Sequence, residues 1–450
     1  MEAPPEHGLP HVPVGLGHLG ERNRSGHRGR IRIAHAYPPI HPAPSRLSSA
    51  LSRHQRKEPE VLLQTETIVE SSFSASRRDL RIRSLEAFNV TLPYDNDFRP
   101  SWQPGLARSN REFTLVKLVT EGGVVGWAGA DGHLAGAVDK WVTPYLVGLP
   151  VTATESISTV LRHAGAKWFI DMAVWDAIGK IAELPLHRLW GSVRDVLPAY
   201  ASTSILRSPE STVDLAHAYA NEGFTAVKVR FHRDDVAGDL EVVDAVRTSL
   251  PEMTVMVDAN QATHLPSPLR DVPWDYYRAL TVARELQERD VLWLEEPLPR
   301  HDIDGLARLV DETDIYIAGG EANTGLHEFR RLIDARAYDI IQPDCTLSEG
   351  ISQLRKIAAY TEMSGLHFIP HHGLSGLGLA ATMHLACTIP GPMWLEMMYE
   401  PGVRSIEEYQ CLGGIISTPI TIDEQGEVRP TEAPGLGVEI DEAAIARFMN

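Results

Sequence analysis

At 450 residues, with 43% hydrophobic and 23% charged residues, the chain can build one large or two medium globular cores, and its composition is not that of a fibrous or membrane-embedded protein. A formal net charge of −18 argues against a polyanion as partner, because phosphate backbones are held by clustered Lys and Arg, so no nucleic-acid role is expected. The three cysteines, Cys345, Cys387 and Cys411, lack paired spacing, and no apolar run reaches roughly eighteen residues, so neither a disulfide framework, a zinc site, secretion nor a membrane span is expected and a cytoplasmic location fits best.

Residues 1–76 are rich in Pro, His, Arg, Ser and Gly without apolar periodicity and are predicted to be a disordered extension. The scatter of His7, His11, His18, His27, His35 and His41 suggests no coordination geometry. From Leu80, LRIRSLEAFNVTL alternates like a strand, and REFTLVKLVTEGGVVGWAGA reads as two strands joined by a Gly-Gly turn. In AKWFIDMAVWDAIGKIAELPLHRLWG apolar residues recur at spacings of three and four until Pro185 and Gly191, which predicts helix. Together these predict an α+β domain over 77–195.

From Ala199 the pattern changes to eight short β-rich runs separated by helical stretches: PAYAS, AVKVRF, TVMVDAN, VLWLEEP, IYIAGGE, DIIQPD, HFIPHHG and MWLEM. A parallel barrel over 196–396 follows, with catalytic side chains expected at the C-terminal strand ends. The segment 397–450 carries two further β-like runs and a short helix and is expected to return and complete the smaller domain.

Asp258, Glu295 and Glu321 end three consecutive runs, at intervals that let each neighbour fall on the next barrel strand. Three hard oxygen donors suit Mg²⁺, whereas a carboxylate after a strand can also simply cap the next helix. Lys228 and Arg230 lie two apart on one strand among Ala226, Val227, Val229 and Phe231, so both face one side and need anionic partners, for which a substrate carboxylate or the charge of an enolate is the natural choice. Asp344 and His371 end adjacent strands and can form a carboxylate–imidazole pair that raises the basicity of the ring, with His372 competing for the same role. Glu396 in MWLEM can hydrogen-bond an enolate or merely cap, with Trp394 packing beside it.

These residues resemble the enolase superfamily, in its mandelate racemase-like branch, from about 80 to 445. The resemblance is carried by AVKVR, VDANQ, WLEEP, GGE, QPD and IPH on successive strands, by FIDMAVWDAIGK, and by the late PGLGVE. It implies a modified TIM barrel, (β/α)7β, with an α+β capping domain built from N- and C-terminal segments. It implies one Mg²⁺ per subunit, replaceable by Mn²⁺, on Asp258, Glu295 and Glu321. It also implies a base at His371, preferred over His372 by the IPH match, paired with Asp344. Arg230 departs from the second lysine of the family's Lys-x-Lys pair; a guanidinium keeps its proton and is a poor base, so one-base chemistry is expected.

The resemblance thus points to a dehydratase of an acid sugar or related hydroxy acid that forms a metal-stabilised enediolate and yields a 2-keto-3-deoxy acid. A racemase, epimerase or lactone cycloisomerase is the alternative, and a non-catalytic metal-binding homologue a third. The chain's relatives also lead us to expect a homo-oligomer. The stretch PYDNDFRPSWQPG stands where the family carries a specificity loop, which makes Tyr94, Arg99 and Trp102 candidates for substrate contact, together with Asn260 and His372. A longer interval after Asp258, the 263–273 stretch THLPSPLRDVP, would place His264 or Arg270 over the mouth or form a plain surface insertion.

Overall fold

The first three strands, β1 (Ile82–Phe98), β2 (Arg108–Thr120) and β3 (Val125–Asp131), pair antiparallel in that order, and β2 and β3 are buried in continuous runs because both of their faces are covered. The computed structural model describes residues 80–165, 167–233, 235–263 and 273–449. The 1–76 extension, with its histidines, and His264 and Arg270 of the insertion lie outside the described residues. The predicted Gly-Gly turn joins β2 to β3, with Gly123 at φ 80 and its N–H donating to the Thr120 carbonyl at 2.9 Å. After a register shift between Ile82 and Ser84 the β1–β2 ladder runs to Pro93 and resumes at Phe98, so the stretch holding Tyr94 leaves the ladder where proline removes a donor.

Five helices follow, α1 (Ala135–Trp141), α2 (Thr143–Leu146), α3 (Thr154–His163), α4 (Ile170–Ile181) and α5 (Leu186–Trp190). α4 is buried on most of its circumference, which explains its run of apolar residues. It lies so close to β3 that a Cβ on Gly126 would stand 2.0 Å from the Ala173 carbonyl oxygen.

The eight β-rich runs form eight parallel strands, β4 (Leu197–Ser202), β5 (Ala226–Arg230), β6 (Thr254–Asp258), β7 (Trp293–Glu295), β8 (Tyr316–Gly319), β9 (Ile340–Ile341), β10 (His367–Phe368) and β11 (Leu395–Met398). Between them run α6 (Pro209–Glu222), α7 (Val236–Ser249), α8 (Tyr276–Glu288), α9 (Ile303–Glu312), α10 (Leu326–Ala335), α11 (Ile351–Met363) and α12 (Gly376–Ala386). From β4 to β10 each strand pairs with the next, and β11 pairs back onto β4, which curls the sheet into a (β/α)7β barrel. Five of these helices are started by their own caps, Ser208, Asp235, Asp275, Asp302 and Ser375, each accepting a backbone N–H three residues on, and α10 and α11 start at Gly325 and Gly350 without a side-chain cap. Asp258, Glu295 and Glu321 are therefore not spent on capping.

The closing segment divides between the barrel and the first sheet. It contains α13 (Ile406–Tyr409), β12 (Glu427–Val428) and α14 (Glu442–Phe448), and β12 pairs antiparallel with β4 of the barrel rather than with the first sheet. The reason is an open edge: β5 covers β4 only at Ala201 and Ser202, which leaves Leu197 and Pro198 for β12. Only the end of the segment reaches the first sheet, where Met449 bridges to Val90 and Glu442 meets Lys117 at 2.6 Å.

Two buried carboxylates join α4 to its surroundings. Asp176 accepts the N–H of Trp127 at 3.0 Å and of Leu436 at 2.9 Å, tying β3 and the PGLGVE stretch to one side chain. Asp171 accepts from the N–H and hydroxyl of Ser352 at 2.7 and 2.9 Å, at the start of α11. Burial pushes Asp171 up to about 6 against these donors. A raised folded-state carboxyl is most favourable below its unfolded value and loses that advantage as pH rises through about 6. Asp171→Asn is expected to flatten the fall in stability between about pH 4 and 7 by up to about 3 kcal/mol, read from urea midpoints across that window.

Candidate active site

The strand register brings the predicted residues together at one end of the barrel. Arg230 is the ladder partner of Asp258, and Asp258 is the ladder partner of Glu295, so three charged residues stand side by side at the ends of β5, β6 and β7. Glu321 lies two residues past β8, Asp344 three past β9 and His371 three past β10. Glu396 is not at its strand end, as expected from MWLEM, but is the second residue of β11, opposite Tyr200 of β4 and wholly buried.

Lys228 and Arg230 do find anionic partners, but these are the protein's own carboxylates. The Lys228 ammonium is fully buried and donates to both oxygens of Glu295 at 3.0 and 2.9 Å, with Glu396 at 2.8 Å and Asp258 at 3.8 Å. It also sits 5.5 Å above the Tyr200 ring. Burial works against its charge, but Glu295, Glu396 and Asp258 outweigh it and raise its pKa. Every nitrogen of the Arg230 guanidinium is occupied: Nε donates to the Thr203 carbonyl at 2.6 Å, one terminal nitrogen to Asp258 and to Asn260 Oδ1, and the other to the Ser202 hydroxyl at 3.0 Å. The physical reason is proximity, since cations on β5 meet acids on the adjoining strands before any ligand enters.

His371 Nδ1 lies 2.5 Å from Asp344 Oδ2, and its Nε2 lies 3.0 Å from Glu321 and 3.9 Å from Glu396. Burial lowers the pKa of His371, yet Glu321, Glu396 and Asp344 together hold it well above its ordinary value. Asp344 is pulled down to about 2 despite its burial, by His371 and by donors that include the N–H and hydroxyl of Thr346, both at 2.6 Å. His372 does not touch Asp344: its Nδ1 meets the Tyr409 hydroxyl and accepts the Leu374 N–H at 3.0 Å.

The substrate-contact candidates divide. Trp102 reaches the mouth, its ring 5.2 Å from the Arg230 guanidinium, and the neighbouring Ser101 N–H is anchored on the Ser204 carbonyl at 2.9 Å. Tyr94 packs on Phe98, ring centroids 5.3 Å apart, and under Arg404. Arg99 is not brought in; its side chain is 65% exposed and meets Asp97 at 3.7 Å. Asn260, at φ 48, turns back to donate to Asp258 through its N–H at 2.8 Å and its amide at 3.0 Å.

Glu296 was missed in the sequence, although a second acid in the apolar run VLWLEEP was its signal. It is buried at φ 46 beside Glu295, and burial, with Glu321, Asp258 and Glu295 around it, raises its pKa well above the carboxylate range. Trp293 and Gln342 were missed too; their N–H groups donate to Glu295 at 3.2 and 3.3 Å.

Buried acid exceeds buried base here. Asp258, Glu295, Glu296, Asp344 and Glu396, with a Glu321 side chain 22% exposed, face Lys228, Arg230 and His371. One oxygen of Glu296 is buried without a hydrogen-bond donor, and burial raises Glu295 to about 7. An oxygen-only donor set with uncompensated negative charge fits a hard divalent cation. Atoms of His371, His372 and Glu396 also lie within 4.8 Å of one another, but the Lys228 ammonium already supplies positive charge there.

A barrel with acids, a carboxylate-bound imidazole and buried cations at the C-terminal strand ends is that of a (β/α)7β-barrel enzyme. Residues 211–444 match the family model for the enolase C-terminal domain-like fold, and residues 96–191 match the mandelate racemase / muconate lactonizing enzyme N-terminal domain. The chain belongs to the enolase superfamily, in its mandelate racemase-like branch.

Among relatives, an arabinonate dehydratase of Saccharolobus solfataricus is 26% identical over 388 residues, 82% of this chain and 99% of that protein. A D-galactarolactone cycloisomerase of Agrobacterium fabrum is 28% identical over 370 residues, 75% of this chain and 91% of that protein. The crystal structure of an L-talarate dehydratase from Polaromonas sp. JS666, complexed with Mg and L-glucarate, superimposes with a TM-score of 0.71 at 25% identity, covering 82% of this chain and 97% of that one. Among the described residues no helix is long and apolar enough to cross a membrane.

Proposed function

We propose that the chain is a Mg²⁺-dependent dehydratase of an acid sugar or a related hydroxy acid, with Asp258, Glu295 and Glu321 as the ligands of one Mg²⁺ per subunit, for which Mn²⁺ can substitute. The fit of the oxygen donors to a hard cation supports that ligand set, as do the relatives named above. Bound there, the ion supplies Lewis-acid neutralisation of the charge that accumulates on the substrate carboxylate when the α-proton leaves.

His371 Nε2 takes that proton, and Asp344 on Nδ1 fixes the tautomer that makes Nε2 the basic atom. Glu321, once its charge is shared with a cation, no longer holds a proton on Nε2. The C–H electrons pass toward the carboxylate as an enediolate and then form the Cα=Cβ bond as the β C–O bond breaks, and the hydroxyl departs as water with the proton returned by His371. The enol then ketonises to a 2-keto-3-deoxy acid. Lys228 faces the developing enediolate charge, Glu396 holds Lys228 in place, and Trp102 covers the mouth beside Arg230.

The observation that carries dehydration over racemisation is Arg230. A two-base racemase needs a proton acceptor on each face, and a guanidinium with every nitrogen donating to a protein oxygen is not one. Incubation with a panel of aldonic and aldaric acids and Mg²⁺, with trapping of 2-keto acids, tests the reading. Turnover that exchanges the α-proton with solvent deuterium but releases no keto acid would replace it with an isomerase.

The ligand assignment has its own test. Mg²⁺ at about a hundred times its Kd is expected to stabilise the folded chain by about 2.7 kcal/mol, and Asp258→Asn to abolish most of that gain. An unchanged Mg²⁺-induced shift of the thermal midpoint in Asp258→Asn would overturn the assignment.

A further inference from the structure

His372 is a second imidazole at the mouth that the proton transfer just described does not use. Its ring centroid stands 3.8 Å from that of His371, and one of its nitrogens lies within 4.8 Å of both a His371 nitrogen and a Glu396 oxygen. Two donors converge on its Nδ1. The Leu374 backbone N–H points at Nδ1 at 3.0 Å, and a backbone N–H can only donate, so Nδ1 carries no proton. The Tyr409 hydroxyl meets the same Nδ1, and burial raises Tyr409 so far that it keeps its proton and donates as well.

Both donors are held by one side chain. Arg111, buried on β2, donates to the Tyr409 carbonyl at 3.1 Å and to the Leu374 carbonyl. Leu374 sits at φ 65, a left-handed backbone that branched side chains rarely adopt, and that conformation lets its N–H turn toward the ring. A strained residue, a buried tyrosine and a buried arginine thus converge on one lone pair, which simple packing of His372 would not require.

We propose that Tyr409 is a positioning residue: with the Leu374 N–H it holds His372 as the neutral Nε2–H tautomer, so that Nε2–H donates a hydrogen bond to a substrate oxygen beside His371. Two donors on Nδ1 leave the ring's one proton to Nε2, which is the neutral form. In keeping with that, burial and the His371 charge push His372 well below its ordinary value. The proposal rests on reading His371 as the proton-transferring group.

The test has two independent readouts. In metal-free protein with ¹⁵N-labelled histidine, the His372 signals, assigned by their loss in His372→Gln, are expected to show a bare Nδ1 and a protonated Nε2. In Tyr409→Phe the Nδ1 signal is expected to shift and the second tautomer to appear. A proton on Nδ1 in the parent protein would overturn the proposal, whatever reaction the enzyme catalyses.

In turnover, Tyr409→Phe is expected to lower kcat about 10- to 100-fold with KM little changed, the range of losses for groups that orient an active imidazole. Added to His372→Gln, whose amide keeps a donor near Nε2 but makes no Tyr409 contact, it should cost less than about twofold, since coupled residues are not additive. Equal losses in both backgrounds would make Tyr409 a packing residue. Should Tyr409→Phe not fold, His372→Leu against His372→Gln reads the donor directly: Leu is expected to fall about a hundredfold further, and equal activity would sink the idea. Failure of His371→Asn to slow turnover would instead count against the base assignment, which separates the two outcomes.

Discussion

His371→Asn is expected to lower kcat by about a thousandfold, within the range for loss of a general base, while the thermal midpoint stays within a few degrees of the parent. Asparagine can keep a hydrogen bond to Asp344, because its amide nitrogen stands where Nδ1 stood at 2.5 Å. What it removes is Nε2, the atom that faces Glu321 and Glu396. Exchange of the substrate α-proton with solvent should fall with turnover. Turnover within tenfold of the parent, under saturating Mg²⁺, would sink the assignment of His371 as base.

Lys228→Met is expected to destabilise the metal-free protein by about 3–5 kcal/mol, the range for removing one partner of a buried ion pair. Methionine nearly matches the aliphatic stem, so packing changes little and the loss reports charge. Without the ammonium, Glu295 and Glu396 have no cation within 3 Å, and neither can reach water. Adding Glu295→Gln should recover part of the loss, because one of the stranded carboxylates is then neutral. Urea unfolding of the parent, single and double variants measures both steps, and an additive double variant would mean that Lys228 and Glu295 do not depend on each other.

Much of the fold was legible because burial leaves a periodic trace. Apolar strand runs separated by helical stretches could be read as a parallel barrel, and the Gly-Gly turn between β2 and β3 follows from turn chemistry. The destination of the closing segment was less legible. β12 and α14 look alike as short patterned runs, but one fills the open edge of β4 and the other meets β1. An edge that needs a partner is a property of the assembled sheet.

The residues of the candidate site divide in the same way. Strand-end position and charge single out Asp258, Glu295, Glu321, Asp344 and His371 in the chain, because acids and imidazole at the ends of apolar runs are costly unless used. Glu296 was hidden by its neighbour, and nothing local in the sequence marks Tyr409, which reaches His372 from a different segment, or Arg111, which holds the Tyr409 carbonyl from a different sheet. Arg99 illustrates the opposite error: a charge in a promising loop, yet turned to Asp97 and solvent.

By itself, then, the sequence determined the barrel, the strand ends that carry acids and the arginine that stands in place of a second base, since each is written in local periodicity and residue chemistry. Only the tertiary structure decided which charge neutralises which. Lys228 is held by three carboxylates, Arg230 by Asp258, and the two adjacent histidines by opposite partners, Asp344 for one and Tyr409 with Leu374 for the other. The physical reason is that ion pairing and tautomer choice depend on distances of a few ångströms between segments remote in the chain, at which Coulomb energies in a buried site change steeply.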